Sequence, residues 1–125
     1  MLNNKYFKRK EFECKCGCGF AAVDTELLKV LTDVRETFGV PLVITSGNRC
    51  AKHNANIGGA PNSSHVLGLA VDFRPYHHIE GFAEYISNIR KYLRDKYPDK
   101  YGVASKENSF VHLDVKPGKA RNWNY

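Results

Sequence analysis

The chain has 125 residues, of which 42% are hydrophobic and 26% are charged, a composition typical of one globular domain. No stretch approaches the roughly 20 apolar residues of a membrane span, and the N-terminus lacks the apolar core of a secretory signal, so we expect neither feature. Lysine and arginine number 19 against 13 aspartates and glutamates, which gives a formal net charge of +6 and suits anionic partners.

The predicted elements begin after an irregular segment, residues 1–23, that contains a tight Cys/Gly cluster. Asp24 is placed to cap a helix, because apolar residues follow it at helical spacing, and Gly39 is placed to end that helix. The segment PLVITS predicts a short buried strand. The Gly-, Asn- and Ser-rich stretch 47–68 predicts a long loop with a short helical turn near Lys52 to Asn56.

The second half of the chain predicts a second helix and further strands. GLAVDFRP has the pattern of a strand, and residues 79–97 alternate apolar and charged residues at helical period. YGVAS and SFVHLDVK predict two more strands joined into a hairpin by KEN, and the tail PGKARNWNY predicts a loop anchored by Trp123 and Tyr125. These elements indicate a single α+β domain, residues 1–125, with a mainly antiparallel sheet flanked by helices.

Two histidines and two carboxylates occur on or beside the predicted strands. His112 and Asp114 are two positions apart on one strand, so they share the face opposite its apolar residues. Asp72 lies in another strand and His65 in the loop before it, and a sheet is able to bring His65, Asp72 and His112 together. Two imidazoles and a carboxylate are a common ligand set for catalytic zinc. From spacing alone, an exposed strand histidine and an edge-strand carboxylate remain as alternatives.

The residues around these positions resemble a known family. ITSGNRCAKHNANIGGAPNSSHVLGLAVDF followed by FVHLDV resembles the zinc D-Ala-D-Ala carboxypeptidase and dipeptidase family, in particular its small single-domain branch of bacterial and phage proteins. EFECKCGCG and the helix from Asp24 also resemble this branch, so the resemblance extends from about Phe7 to the region of Trp123. The positions that match the family pattern are Ser46, Arg49, His53, Asn54, Gly58, Gly59, Ser63, His65, Asp72 and His112.

The resemblance implies a hedgehog/D,D-peptidase-like α+β zinc fold and a zinc metallopeptidase of the D,D-carboxypeptidase or endopeptidase type. One catalytic zinc ion would be held by His65, Asp72 and His112 and would activate the attacking water. The expected substrates are peptidoglycan stem peptides or cross-links, cut at a D-Ala-D-Ala-type or L-Ala-D-Glu-type bond, as in cell-wall remodelling enzymes and the endolysins of phages.

The resemblance also suggests residues for substrate binding and proton transfer. Arg49 is expected to bind a substrate carboxylate or the developing oxyanion, and Ser63 to hydrogen-bond the substrate or to orient His65, with a simple turn serine as the alternative. Many family members carry an acidic general base three positions before the last zinc histidine, where this chain has Ser109.

Two other carboxylates are therefore candidates for the general base. Asp114 is the first candidate and Glu107 the second, and Asp114 is alternatively a residue that positions His112. Without a competent base, the chain would be a catalytically inactive, zinc-containing cell-wall-binding module.

The four cysteines allow several states. Cys14, Cys16 and Cys18 form a C-x-C-x-C cluster that, with the distant Cys50, is able to provide four thiolates to a structural metal. A disulfide to Cys50 and free structural thiols are the alternatives, and the spacing differs from the paired C-x2-C of ordinary zinc ribbons.

The expected partner is a peptidoglycan peptide, and the chain is expected to be a monomer. No nucleic-acid partner is expected, because a nucleic-acid binder has no need of the complete His/Asp/His set or of Arg49. We expect the protein to be made in the cytoplasm and to act at the cell wall, in the periplasm or outside the cell after release by another route, as in phage lysis.

Overall fold

The computed structural model describes residues 5–18, 23–58, 65, 68–76 and 78–124. A short 3-10 helix, Arg9–Phe12, comes first. In chain order the remaining elements are α1 (Thr25–Phe38), β1 (Leu42–Ser46), α2 (Ala51–Asn56), β2 (Ala70–Pro75), α3 (Phe82–Lys96), β3 (Gly102–Lys106), β4 (Phe110–Asp114) and β5 (Arg121–Asn124). Among the described residues, none of the helices is long and apolar enough to cross a bilayer.

Five strands in the described part of the chain form one mixed sheet in the order β1-β2-β4-β3-β5. The pairs β1/β2, β2/β4 and β3/β4 are antiparallel, and β3/β5 is parallel. The α+β class with a mainly antiparallel sheet is therefore confirmed. The predicted β3–β4 hairpin is also present, since Lys106 pairs with Phe110 across the turn.

Helix α1 forms where its sequence signals predict it. The Asp24 side chain accepts hydrogen bonds from the backbone N–H groups of Glu26 and Leu27, and Gly39 ends the helix at φ 65°. The apolar side of the helix is buried in the core, together with apolar residues of α3 and of one sheet face. The core residues of these elements include Leu27, Val30, Leu31, Val34, Phe73, Ile86, Ile89, Leu93, Val103, Val111 and Leu113.

The tail departs from the prediction. Residues Arg121–Asn124 form the parallel edge strand β5, not a loop, and Tyr125 lies outside the described residues. The strand forms because the tail returns to β3, where Trp123 pairs with Ala104 and the Arg121 N–H donates to the Tyr101 carbonyl. A four-residue polar strand that depends on such a long-range parallel pairing has no local pattern in the sequence.

The two faces of β4 have different roles. Val111 and Leu113 are fully buried in the apolar core, on the face that α3 covers. His112 and Asp114 alternate with them and therefore lie on the opposite face, as the sequence predicts. The same face carries Asp72 of β2, and this is where the candidate site lies.

Candidate metal centre

Strand register brings Asp72 and His112 together. They are paired residues in the antiparallel β2/β4 ladder, so their side chains leave the sheet side by side. Nδ1 of His112 lies 2.8 Å from Oδ1 of Asp72. The carboxylate comes from one strand and the imidazole from its neighbour, and the rigid centre of the sheet fixes the distance between them.

His65 reaches the same carboxylate from the loop before β2. Its ring is buried, and Nδ1–H donates a 2.7 Å hydrogen bond to the Gly47 carbonyl. The other ring nitrogen, Nε2, faces Oδ1 of Asp72 at 3.5 Å. The rings of His65 and His112 meet edge to face, with centroids 5.4 Å apart. We call His65, Asp72 and His112 the His/Asp cluster.

The His/Asp cluster fits a divalent metal ion. Each residue offers one ligand atom, and the three atoms lie within 4.8 Å of one another. Both ring nitrogens of His112 face carboxylates, because Nε2 lies 3.0 Å from Oδ2 of Asp114. Either an imidazolium carrying two protons or a cation in place of the Nδ1 proton satisfies this arrangement. Two neutral imidazoles and one carboxylate are a typical three-ligand set of catalytic zinc sites.

The electrostatics of the cluster follow from burial and charge. Burial opposes ionisation of Asp72, but hydrogen bonds from His112 and His65 outweigh it and lower the pKa of the carboxyl group. For His112, burial acts to lower the pKa, and the carboxylates of Asp114 and Asp72 outweigh it and raise the pKa above its ordinary value. The cluster therefore keeps an anionic ligand between two imidazoles.

Asp114 lies behind the His112 ring and is almost fully buried. Its two oxygens accept hydrogen bonds from the Arg121 guanidinium at 2.5 and 3.1 Å. Burial raises the pKa of Asp114, but the bonds from His112 and Arg121 outweigh it and bring the pKa to about 2. A carboxylate held in this way orients the imidazole, which corresponds to the positioning alternative for Asp114 in the sequence analysis.

The other predicted site residues have different placements. The Arg49 N–H donates to the His65 carbonyl at 3.1 Å, so the arginine backbone directly adjoins the His/Asp cluster. Glu107 is exposed in the β3–β4 turn and lines a cavity of about 650 Å³ with Arg90 and Ser105 of the α3 side, which is the opposite face of the sheet. Ser63 lies outside the described residues.

Sequence reasoning missed three residues that support the site. The Gly47 carbonyl fixes His65, Arg121 holds Asp114, and the Trp123 ring packs on His112 with centroids 5.2 Å apart. Trp123 was expected only to anchor the tail. Arg121 and Trp123 are two positions apart, so they share one face of β5. If the tail is taken as a strand, this spacing predicts that both side chains lie on the same side of the sheet.

Comparison with known families gives an independent finding. The family model described as Peptidase M15 matches residues 5–114 of this chain. The matched region contains the whole His/Asp cluster, Asp114 and Arg49, whereas Arg121 and Trp123 lie beyond it. A comparison with curated proteins finds no significant match.

Proposed function

The chain belongs to the peptidase M15 family of zinc D-Ala-D-Ala carboxypeptidase-like enzymes, and from that premise we propose that it is a zinc metallopeptidase that hydrolyses peptidoglycan peptides. The observation that carries this proposal is the convergence of His65 Nε2 and His112 Nδ1 on Oδ1 of Asp72. Each imidazole uses its other nitrogen to bind a protein acceptor, which is the usual arrangement of metal-binding histidines.

In this proposal, each residue at the site has a separate role. A zinc ion bound at the His/Asp cluster would lower the pKa of a water molecule toward neutrality and polarise the scissile carbonyl group. Asp72 supplies the negative charge of the ligand set, and the Gly47 carbonyl and Asp114 orient the rings of His65 and His112. Asp114 orients His112, and Arg121 in turn keeps Asp114 ionised.

Arg49 is the proposed substrate-binding residue. Its planar guanidinium is suited to bind a peptide carboxylate through two parallel hydrogen bonds, or to stabilise the oxyanion. The backbone contact between Arg49 and His65 supports this role, because it fixes the residue next to the His/Asp cluster. Ser63, two positions before His65, is proposed as a second substrate contact.

The proposed substrates are stem peptides or cross-links of peptidoglycan, cut at a D-Ala-D-Ala-type or L-Ala-D-Glu-type bond. Membership of the family supports a peptide substrate, and the resemblance of the S-x-x-R and S-x-H-x6-D motifs supports the wall peptides. The proposed place of action is accordingly the cell wall, where a net charge of +6 favours approach to anionic polymers.

Digestion of purified peptidoglycan by the zinc-loaded protein tests the proposal, with the released fragments identified by mass spectrometry. We expect new peptide ends whose masses name the bond. The variant Asp72→Asn keeps the shape of the side chain but removes the anionic ligand, and it should release none. Asp95→Asn is the matched control, since Asp95 is exposed on α3, where it pairs with Lys91 one helical turn away.

Two outcomes would contradict the proposal in different ways. Protein that contains zinc at the His/Asp cluster, binds peptidoglycan and releases no new ends would be a wall-binding module. Protein that releases the same ends with Asp72→Asn would indicate a contaminating hydrolase.

A further inference from the structure

Four cysteines from two distant parts of the chain meet at one point. Cys14, Cys16 and Cys18 follow the 3-10 helix, and Cys50 is the N-cap residue of α2. Their sulfur atoms all lie within 4.8 Å of one another. We call this group the cysteine cluster. It is separate from the His/Asp cluster, and the proposed peptidase mechanism makes no use of it.

The sulfur–sulfur distances match those of a tetrahedral thiolate site. Cys14 to Cys16 is 3.4 Å, Cys16 to Cys50 is 3.6 Å, and Cys14 to Cys50 is 3.8 Å. A tetrahedron with zinc–sulfur bonds of about 2.3 Å has edges of about 3.8 Å. A disulfide needs sulfurs about 2.05 Å apart, and all four cysteines are free thiols in this structure.

Backbone groups support negative charge on these sulfurs. The Cys50 N–H points to the Cys14 sulfur at 3.4 Å, and the His53 N–H points to the Cys50 sulfur at 3.4 Å. Gly17, at φ 84°, turns the chain between Cys16 and Cys18 and so helps to bring their sulfur atoms together. Cys14 is buried while Cys16 and Cys18 are exposed, so the cluster opens to solvent on one side.

We propose that Cys14, Cys16, Cys18 and Cys50 bind a second, structural zinc ion. Four thiolates select a soft or borderline metal, and tetrahedral sulfur coordination with no open position is typical of structural zinc. Zinc in this site cross-links the N-terminal segment to the start of α2, and so to the loop of residues 47–50.

The structural zinc supports the candidate active site through a short path of contacts. Both the backbone N–H and the side-chain amide of Asn48 donate to the Phe12 carbonyl at 2.9 Å. The preceding residue, Gly47, accepts the hydrogen bond of His65. The cysteine cluster therefore holds in place the segment that fixes one ligand of the His/Asp cluster. This consequence rests on the proposed function, whereas the zinc site itself does not.

Metal analysis of the full-length protein, purified under reducing conditions with zinc, tests the site. We expect two zinc ions per chain by elemental mass spectrometry. Asp72→Ala should retain one of them, and the double variant Cys16→Ser/Cys18→Ser should retain the other. The replaced cysteines are exposed, so the change leaves the buried Cys14 in the core. Cobalt(II) in the Asp72→Ala variant should give the intense thiolate-to-metal absorption of a tetrahedral sulfur site.

The wild-type protein provides a second readout that needs no cysteine variant. A mercurial reagent that titrates thiols should release one zinc equivalent as the four cysteines react, and the second equivalent should stay bound. Two results would overturn the site. One is an intact mass that is lower by the hydrogens lost in one or two disulfides. The other is four free thiols in a protein that binds a single zinc ion per chain. A wild-type protein that binds two zinc ions, one of which is released with the thiols, but that shows no peptidase activity would instead contradict only the proposed function.

Discussion

Each imidazole of the His/Asp cluster is held by the ring nitrogen that faces away from Asp72. The sequence predicts that His65, Asp72 and His112 meet, since the motif of the resemblance contains all three, and the structure brings them together. It does not predict the acceptor of His65, because Gly47 acts through a backbone carbonyl that has no signature of its own.

Replacing Asp114 tests its positioning role. Asp114→Asn keeps the size of the side chain but removes the charge that faces His112 and Arg121, so we expect zinc affinity at the His/Asp cluster to fall about 10- to 100-fold. Competition with a chelator of known affinity measures the change. If Asp114 is instead the general base, zinc affinity will stay unchanged while kcat of the zinc-loaded enzyme is lost.

Replacing Glu107 tests whether this second candidate is the general base. Because the side chain lies with Arg90 and Ser105 on the α3 face, we expect Glu107→Gln to leave the pH–rate profile of peptide hydrolysis unchanged. Loss of a general base costs about 100-fold or more in rate. A loss of that size with normal zinc content would identify Glu107 as the proton acceptor and would require the β3–β4 turn to move.

At the scale of helices and strands, the sequence predicts an element correctly where its residues form a local pattern. The strands β1, β2, β3 and β4 have apolar residues on the core side, and helices α1 and α3 have their apolar residues at helical spacing. Strand β5 was missed because its pairing with β3 is long-range and its residues are mostly polar. That missed strand carries both Arg121 and Trp123, so the support for Asp114 and His112 was missed with it.

Gly47 couples the 3-10 helix to the loop that fixes His65. A Cβ atom at this position would lie 2.7 Å from Cα of Phe12 and 2.8 Å from its carbonyl oxygen, and backbone atoms have little room to move. We expect Gly47→Ala to destabilise the fold by about 1–3 kcal/mol and to weaken zinc binding at the His/Asp cluster.

Gly39→Ala is the matched control for this prediction. It introduces strain at φ 65°, where an added Cβ atom would contact no other residue, so it should lower the unfolding midpoint in denaturant and leave zinc affinity as in the wild type. Equal zinc affinities in the two variants would contradict the proposed coupling.

Asp33 of α1 makes a polar connection between the two long helices. Its carboxylate accepts hydrogen bonds from Tyr92, Lys96 and Tyr97 at 2.8–3.1 Å. Burial opposes the ionised form, but the bonds from these residues outweigh it and lower the pKa of Asp33 below its ordinary value. Its contribution to stability is therefore complete above the unfolded-state pKa of about 4, and it is lost as pH falls through the lower folded-state pKa.

Denaturation at several pH values tests this connection. We expect Asp33→Asn to lower the free energy of unfolding by about 1 kcal/mol at pH 7, and the difference from wild type to shrink below about pH 4. Asp95→Asn, which removes an exposed i,i+4 pair on α3, should change stability by less than about 0.5 kcal/mol. A difference for Asp33→Asn that persists unchanged in acid would show that its charge is not the cause.

At the scale of the whole molecule, composition predicts a property that no single contact explains. Nineteen basic residues against 13 acidic ones leave a net charge of +6, and anionic wall polymers would attract such a protein over a distance set by salt. The screening length is about 10 Å at 0.1 M ionic strength and about 3 Å at 1 M. We therefore expect co-sedimentation with purified cell walls to weaken steeply between these salt concentrations.

Peptide hydrolysis at the His/Asp cluster should depend much less on salt concentration than wall binding does, because this cluster is largely buried and short-range contacts dominate there. Hydrolysis of a short, soluble stem peptide is thus the internal control, and its kcat should change little over the same salt range. Wall affinity that is independent of salt would contradict the electrostatic account and would point to specific contacts with the glycan or the peptide. A parallel loss of kcat would instead indicate that salt acts on the fold or on metal binding.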